Sequence, residues 1–193
     1  MTEQTNVSVT TLRDSRVRNL CLAALMSAIM AVCAWITVPF TVPFTMQIFA
    51  VFAALLILGG RWGTASIAFY LFVGAMGLPV FSGFQGGIGH VLGPTGGYML
   101  GFLAIGAIYW AFESPTRKRP ILRIPVLVLG LAACYLLGTL WFTTTYVGAN
   151  GAGMGFVAAL GVCVVPYIIP DLLKLTLAYV LGKQVANALD QRA

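Results

Sequence analysis

Two ionisable side chains stand alone in an apolar stretch near the C-terminal end, Asp171 and Lys174 of Pro170-Asp-Leu-Leu-Lys174. Three residues apart, they share one face of a helix. Side by side, a carboxylate and an ammonium can satisfy a small solute that carries both hydrogen-bond donors and acceptors. Charges placed at membrane depth cost at least a few kcal/mol and normally face a cavity or a partner. Pro166 and Pro170 lie just upstream, where they kink or loosen the helix and free carbonyls toward the same region. The plainer reading is a neutralising pair that only locks helix packing.

A second segment, Gly77-Leu-Pro-Val-Phe-Ser-Gly-Phe-Gln-Gly-Gly-Ile-Gly-His90, continues to Gly93-Pro-Thr-Gly-Gly-Tyr98 and carries no Asp, Glu, Lys or Arg. Thr95 is placed to cap the next helix, with Gly96 and Gly97 exposing its first amides, and such a terminus can hold a carboxylate. Gly93, Gly97 and Gly101 also follow small-xxx-small spacing, which on its own favours close helix packing. Gln85 could offer an amide to a polar ligand. His90 is the only histidine, so a multi-histidine metal site is impossible and a catalytic dyad has no evident partner. Tyr98 and Tyr167 could stack on a ligand or simply pack in the core. In the first helix, Ala24 and Ala28, with Ala31 close to their face, make a smooth stripe suited to another helix.

These residues must be positioned by membrane helices. Of 193 residues, 60% are hydrophobic and 8% charged, with a mean hydropathy of +0.94. A soluble domain carries about 25% charged residues, so a soluble enzyme domain, a disordered segment and a DNA-binding module are all excluded. No Asp, Glu, Lys or Arg lies between Arg18 and Arg61, between Arg61 and Glu113, or between Arg123 and Asp171. A spanning helix needs about 20 apolar residues, so each run accommodates two helices and a turn. The expected architecture is an all-α bundle of six transmembrane helices, roughly 19–38, 45–60, 62–80, 95–112, 124–142 and 155–183. It follows a polar arm, 1–18, within one membrane domain, 19–185, and precedes a short tail, 186–193. The first span is too long for a signal-peptide core and reads as a retained helix.

Every Lys and Arg except Lys174 falls on the same set of connections and ends. By the positive-inside rule this puts both termini in the cytoplasm. Cys21, Cys33, Cys134 and Cys163 lie in the expected spans without a CxxC spacing and read as small apolar fillers. The sequence has no P-loop and no clear internal repeat, so ATP hydrolysis would have to come from other subunits. No cofactor or metal site is expected. The polar pocket should lie near the outer leaflet, walled by the Asp171/Lys174 face, the glycine loop and the start of the fourth span.

Gly-Leu-Pro-Val-Phe-Ser-Gly (77–83), Gly-Pro-Thr-Gly-Gly-Tyr (93–98) and Pro-Asp-Leu-Leu-Lys (170–174) together resemble the BioY family, the biotin-specific S components of energy-coupling-factor (ECF) transporters. The resemblance covers nearly the whole chain, including six spans with both termini inside. It implies a subunit in the cytoplasmic membrane of a prokaryote that captures biotin with high affinity and joins a transmembrane coupling subunit and two cytoplasmic ATPases. It further implies that Asp171 and Lys174 contact biotin and that Ala24 and Ala28 meet the coupling subunit. Biotin's ureido ring offers two N–H donors and a carbonyl. On this reading Asp171 accepts a ureido N–H and Lys174 donates to the ureido oxygen. The valerate carboxylate then lies near Thr95, Gly96 and Gly97, with Phe81, Phe84, Tyr98 and Tyr167 as apolar walls; the reverse pose stays open. The alternatives are an S component for another vitamin or small nitrogenous solute, a stand-alone small-solute transporter, an intramembrane enzyme and a purely structural subunit.

Overall fold

The computed structural model describes residues 4–39, 42–148 and 153–190. Its frame is helical: α1 (Gln4–Trp35), α2 (Gln47–Ala75), α4 (Gly96–Ala111), α6 (Arg123–Thr145) and α8 (Val165–Asp190). Short helices α3 (Ile88–Val91), α5 (Glu113–Lys118) and α7 (Phe156–Cys163) lie in the connections. Two-residue strands β1 (Thr37–Val38) and β2 (Phe44–Thr45) pair antiparallel between α1 and α2, with Thr37 opposite Thr45 and Val38 opposite Phe44.

By length and composition, four segments qualify as membrane spans: Arg16–Trp35, Gln47–Ala75, Pro120–Thr145 and Val165–Val185. Gly96–Ala111 is apolar but shorter. The second of the four is a folded hairpin. Gly59 interrupts α2 with φ 79° and ψ 176°, a conformation that glycine alone adopts without strain. Gln47 Nε2 donates to the Tyr70 hydroxyl at 2.9 Å, yet these residues would stand about 35 Å apart along a straight helix. A Cβ on Gly63 would come within 2.8 Å of the Leu55 Cα, so the two arms touch backbone to backbone just beyond the turn. The sequence pattern divides this region into two helices at 60–62, and the break falls at Gly59.

Other boundaries differ from those expected. The polar arm is helical from Gln4 onward and continuous with α1. The expected last span, 155–183, is interrupted at Val164, where α7 ends and α8 begins. Pro166, two residues later, lacks the N–H needed to continue a helix across that point. Pro170 sits within α8. Arg192 lies outside the described residues, as do residues 149–152 of the last connection.

Packing rests on small residues at helix crossings. Gly97 and Gly101 of α4 face Trp141 and Cys134 of α6, and Gly130 of α6 faces Ile105 of α4. The α1–α2 contact is polar as well: Ser27 Oγ donates to the Ser66 carbonyl at 2.9 Å or shares a hydrogen with Ser66 Oγ at 3.0 Å. Ser66 Oγ in turn reaches the Ala23 carbonyl at 2.8 Å. Phe52, Leu55, Ile67, Ile105, Leu127 and Leu175 fill the interior. Phe69, Phe72, Leu136, Leu173 and Leu177 point outward, as expected of helices whose solvent is hydrocarbon.

Candidate ligand-binding site

Asp171 and Lys174 are both almost fully buried, 4% and 6% exposed, and their side chains meet at 2.8 Å. The i, i+3 spacing on α8 brings them together, and residues from two other elements complete the arrangement. The Tyr135 hydroxyl, from α6, donates to Asp171 Oδ2 at 2.6 Å. Lys174 Nζ also donates to the Thr45 carbonyl of β2 at 2.7 Å and lies 3.8 Å from the centre of the Phe44 ring. Both charges are therefore paired and hydrogen-bonded, the condition under which burying them is tolerable. The ammonium further gains from the aromatic face.

The pair lines a partly open cavity. The 42–48 segment, the start of α4, the middle of α6 and the α7–α8 junction wall it. Tyr98 and Tyr167 both line it. Tyr98 shares a hydrogen bond with Thr139 Oγ1 at 3.1 Å, and its ring lies across Gly138, in the space a Cβ would need. The Tyr167 hydroxyl donates to the Val42 carbonyl, tying the α1–α2 connection to α8. His90 and Thr95 close the cavity from the glycine segment. The imidazole stacks on Phe81, centres 5.3 Å apart, and burial lowers its pKa below the ordinary 6.5.

Other expected site residues stand apart from the cavity or, like Thr95, line it without the expected local role. The Thr95 side chain makes no capping hydrogen bond, because Thr95 itself is helical, at φ −87° and ψ −5°, and not in the extended conformation a cap requires. Gly96 and Gly97 do not line the cavity: added Cβ atoms would overlap the Val91 carbonyl oxygen and the Trp141 side chain. The Gly96 N–H donates to the Gly93 carbonyl at 3.0 Å. Here the glycines serve close packing. Phe84 is 64% exposed and stacks on Trp35, centres 5.0 Å apart. Gln85 lines a shallower outer cleft shared with His90 and Thr95. Phe81 is buried behind His90, edge-on to Tyr70 at 5.6 Å.

Sequence reasoning misses Tyr135, Gln47, Cys134, Cys163 and the Val42–Thr45 stretch as site residues, though all of them line the cavity or hold its charges. One signal in the chain points to the last of these. Although no repeat on the scale of a helix is present, residues 37–40 and 41–44 are the same tetrapeptide, Thr-Val-Pro-Phe, and are followed by Thr45. An uncharged, aromatic tandem repeat between two membrane helices marks a connection built to fold onto something. Ala24 and Ala28 are exposed along an apolar groove between α1 and the second arm of α2, and Ala31 is buried at its floor.

The BioY family model matches residues 2–191. The chain belongs to the BioY family. Among relatives, the biotin transporter BioY of Thermotoga maritima is 38% identical over 158 residues, 81% of this chain and 79% of that protein. The probable biotin transporter BioY of Pyrococcus horikoshii is 38% identical over 171 residues, 88% of this chain and 97% of that one. In structure the chain resembles a crystallised S component for biotin from an ECF-type ABC transporter, with a TM-score of 0.77. That match covers 90% of this chain and 93% of the other at 23% identity. At that identity the likeness establishes a shared S-component fold. The BioY relatives are transporters by name, and this chain, like a membrane protein, has four helices long and apolar enough to cross a bilayer.

Proposed function

We propose that this chain is the substrate-binding subunit of an ECF-type transporter and that it captures biotin in the cavity beside Asp171 and Lys174. The observation that carries this reading is a buried, hydrogen-bonded acid–base pair facing a cavity lined by aromatic, apolar and neutral polar side chains, in a chain of the BioY family. Asp171 accepts a ureido N–H, and Lys174 donates to the ureido oxygen by sharing or releasing the Thr45 carbonyl. Tyr135 holds the carboxylate in orientation. Tyr98, Tyr167 and the Phe44 ring supply apolar surface for the bicycle. The valerate carboxylate points toward His90 and Thr95 at the mouth.

In this reading the chain crosses the bilayer six times, the two arms of α2 each counting as one pass and α4 as another. Both termini are cytoplasmic. The clustering of Arg61, Arg117, Lys118, Arg119, Arg123 and Lys183 away from the pocket segments supports that orientation. The exposed Ala24/Ala28 groove meets the transmembrane coupling subunit, and a pair of cytoplasmic ATPases supplies the energy. A bulky residue in place of Ala28 should leave biotin affinity unchanged and weaken co-purification with the coupling subunit.

Calorimetry of the detergent-solubilised chain with biotin, with Lys174→Ala alongside, tests the assignment. Tight binding that the variant abolishes is expected. Absence of heat from a folded sample that binds another vitamin would replace biotin by that ligand. Equal affinity in a folded Lys174→Ala sample would remove the pair from the site.

A further inference from the structure

A second concavity lies at the basic end of the bundle, outside everything the biotin reading uses. It is a cleft between α2, the Pro120–Leu122 turn, the start of α6 and α8, lined by Leu56, Pro120, Arg123, Tyr179, Gly182 and Lys183. Gly182 lets α8 approach α2, since a Cβ there would stand 3.1 Å from the Leu56 side chain. The lining contributes two cations, a phenol and no carboxylate. Among the described residues the salt bridge is Asp171–Lys174, which leaves Arg123 and Lys183 without an acidic partner there. Glu113, at the far end of the same connection, is turned onto the α2 turn, with its carboxylate oxygens 2.8 and 3.1 Å from where Cβ atoms on Gly59 and Gly60 would stand.

The surroundings narrow the occupant. Ile121, Ile124, Val180 and Leu181, the sequence neighbours of the lining residues, are exposed apolar side chains, so the cation pair sits where hydrocarbon-facing helix surface meets the polar boundary. A freely hydrated anion would use the cations and leave those flanks idle. An amphiphile with an anionic head uses both, and basic pockets between membrane helices suit such headgroups. Arginine grips phosphate oxygens in a fork, while lysine acts as a movable point charge.

We propose that this cleft seats the phosphate of an anionic phospholipid, held by Arg123 and Lys183 with the Tyr179 hydroxyl on a headgroup oxygen and the acyl chains along α6 and α8.

Native mass spectrometry of the full chain in mixed micelles tests the site, using phosphatidylglycerol against phosphatidylcholine of identical acyl chains. Retention of phosphatidylglycerol over phosphatidylcholine is expected. Arg123→Gln and Lys183→Gln should each reduce it about fivefold, from about 1 kcal/mol per basic residue near an anionic surface. Lys183 is exposed, so its variant keeps the fold. Arg117→Gln/Lys118→Gln, outside the cleft, should change nothing. Equal retention of both lipids, or an equal loss in the Arg117/Lys118 variant, would overturn the proposal. So would inorganic phosphate alone raising the melting temperature as much as phosphatidylglycerol does.

Discussion

At the pocket, Lys174 is buried, touches a carboxylate and a backbone carbonyl, and lies over an aromatic ring. About two and a half turns further along the same helix, Lys183 is exposed in a cleft with Arg123 and has no carboxylate in the lining. The contrast shows what burial demands. A desolvated ammonium must have its partners supplied by the fold, so its position is defined by α8, α6 and β2 together. A cation at the boundary is satisfied by whatever solvent or headgroup is present, and its neighbours need not be fixed. Buried charge is thus held by the whole bundle, while exposed charge is left to its surroundings.

The largest expected effect breaks the pocket side of that contrast. Lys174→Ala leaves Asp171 buried without its counter-ion, a change that costs about 3–5 kcal/mol. Calorimetry should show biotin affinity falling by about two orders of magnitude or more, with a lower melting temperature. The double variant Asp171→Asn/Lys174→Ala should regain melting temperature relative to the single variant without regaining binding. Arg123→Gln should leave biotin affinity unchanged.

Gly59→Ala comes next. Its φ of 79° with ψ 176° lies in a region essentially confined to glycine, where another residue costs about 1–3 kcal/mol, and the Glu113 carboxylate occupies the space. Thermal melting should drop by at least that equivalent, while the folded fraction still binds biotin with wild-type affinity. A matching loss of affinity would mean that the α2 turn shapes the pocket directly. Tyr135→Phe removes one charge-assisted hydrogen bond from a buried carboxylate, worth about 1.5–3 kcal/mol, and should lower the melting temperature and weaken biotin binding roughly tenfold.

The smallest effect concerns His90. Burial holds its pKa below 6.5, so folding favours the neutral ring. Its contribution is complete above that unfolded value and is lost as pH falls through the lower folded one. Stability of the wild type should therefore decline on acidification below about 6.5, and His90→Asn should flatten that decline in a melting series across pH.

The charged pair and the helical frame are legible because membrane chemistry writes them in composition: an Asp and a Lys three apart inside a long uncharged run stand out against everything around them. The α2 hairpin is legible for the same reason, with Arg61 interrupting the run. The remaining pocket walls are not. Tyr135 is one of seven tyrosines, and nothing local distinguishes it; its role depends on how α6 lies against α8. Gly96 and Gly97 mislead in the opposite direction. Bare amides at a helix start and bare surface for a neighbouring indole are the same sequence signal, and only the position of Trp141 separates them. The Thr-Val-Pro-Phe repeat is readable in principle, but its uncharged, proline-bearing form hides it among ordinary turns.

Trp141 donates its indole N–H to the Gly93 carbonyl at 3.0 Å and packs on Gly97, at the joint where the glycine segment enters α4. That makes it a built-in optical reporter. With Trp35, Trp62 and Trp110 replaced by phenylalanine, the remaining emission would read the polarity and hydrogen bonding of that joint alone, so a rearrangement of the pocket mouth on ligand arrival could be followed in real time without a label.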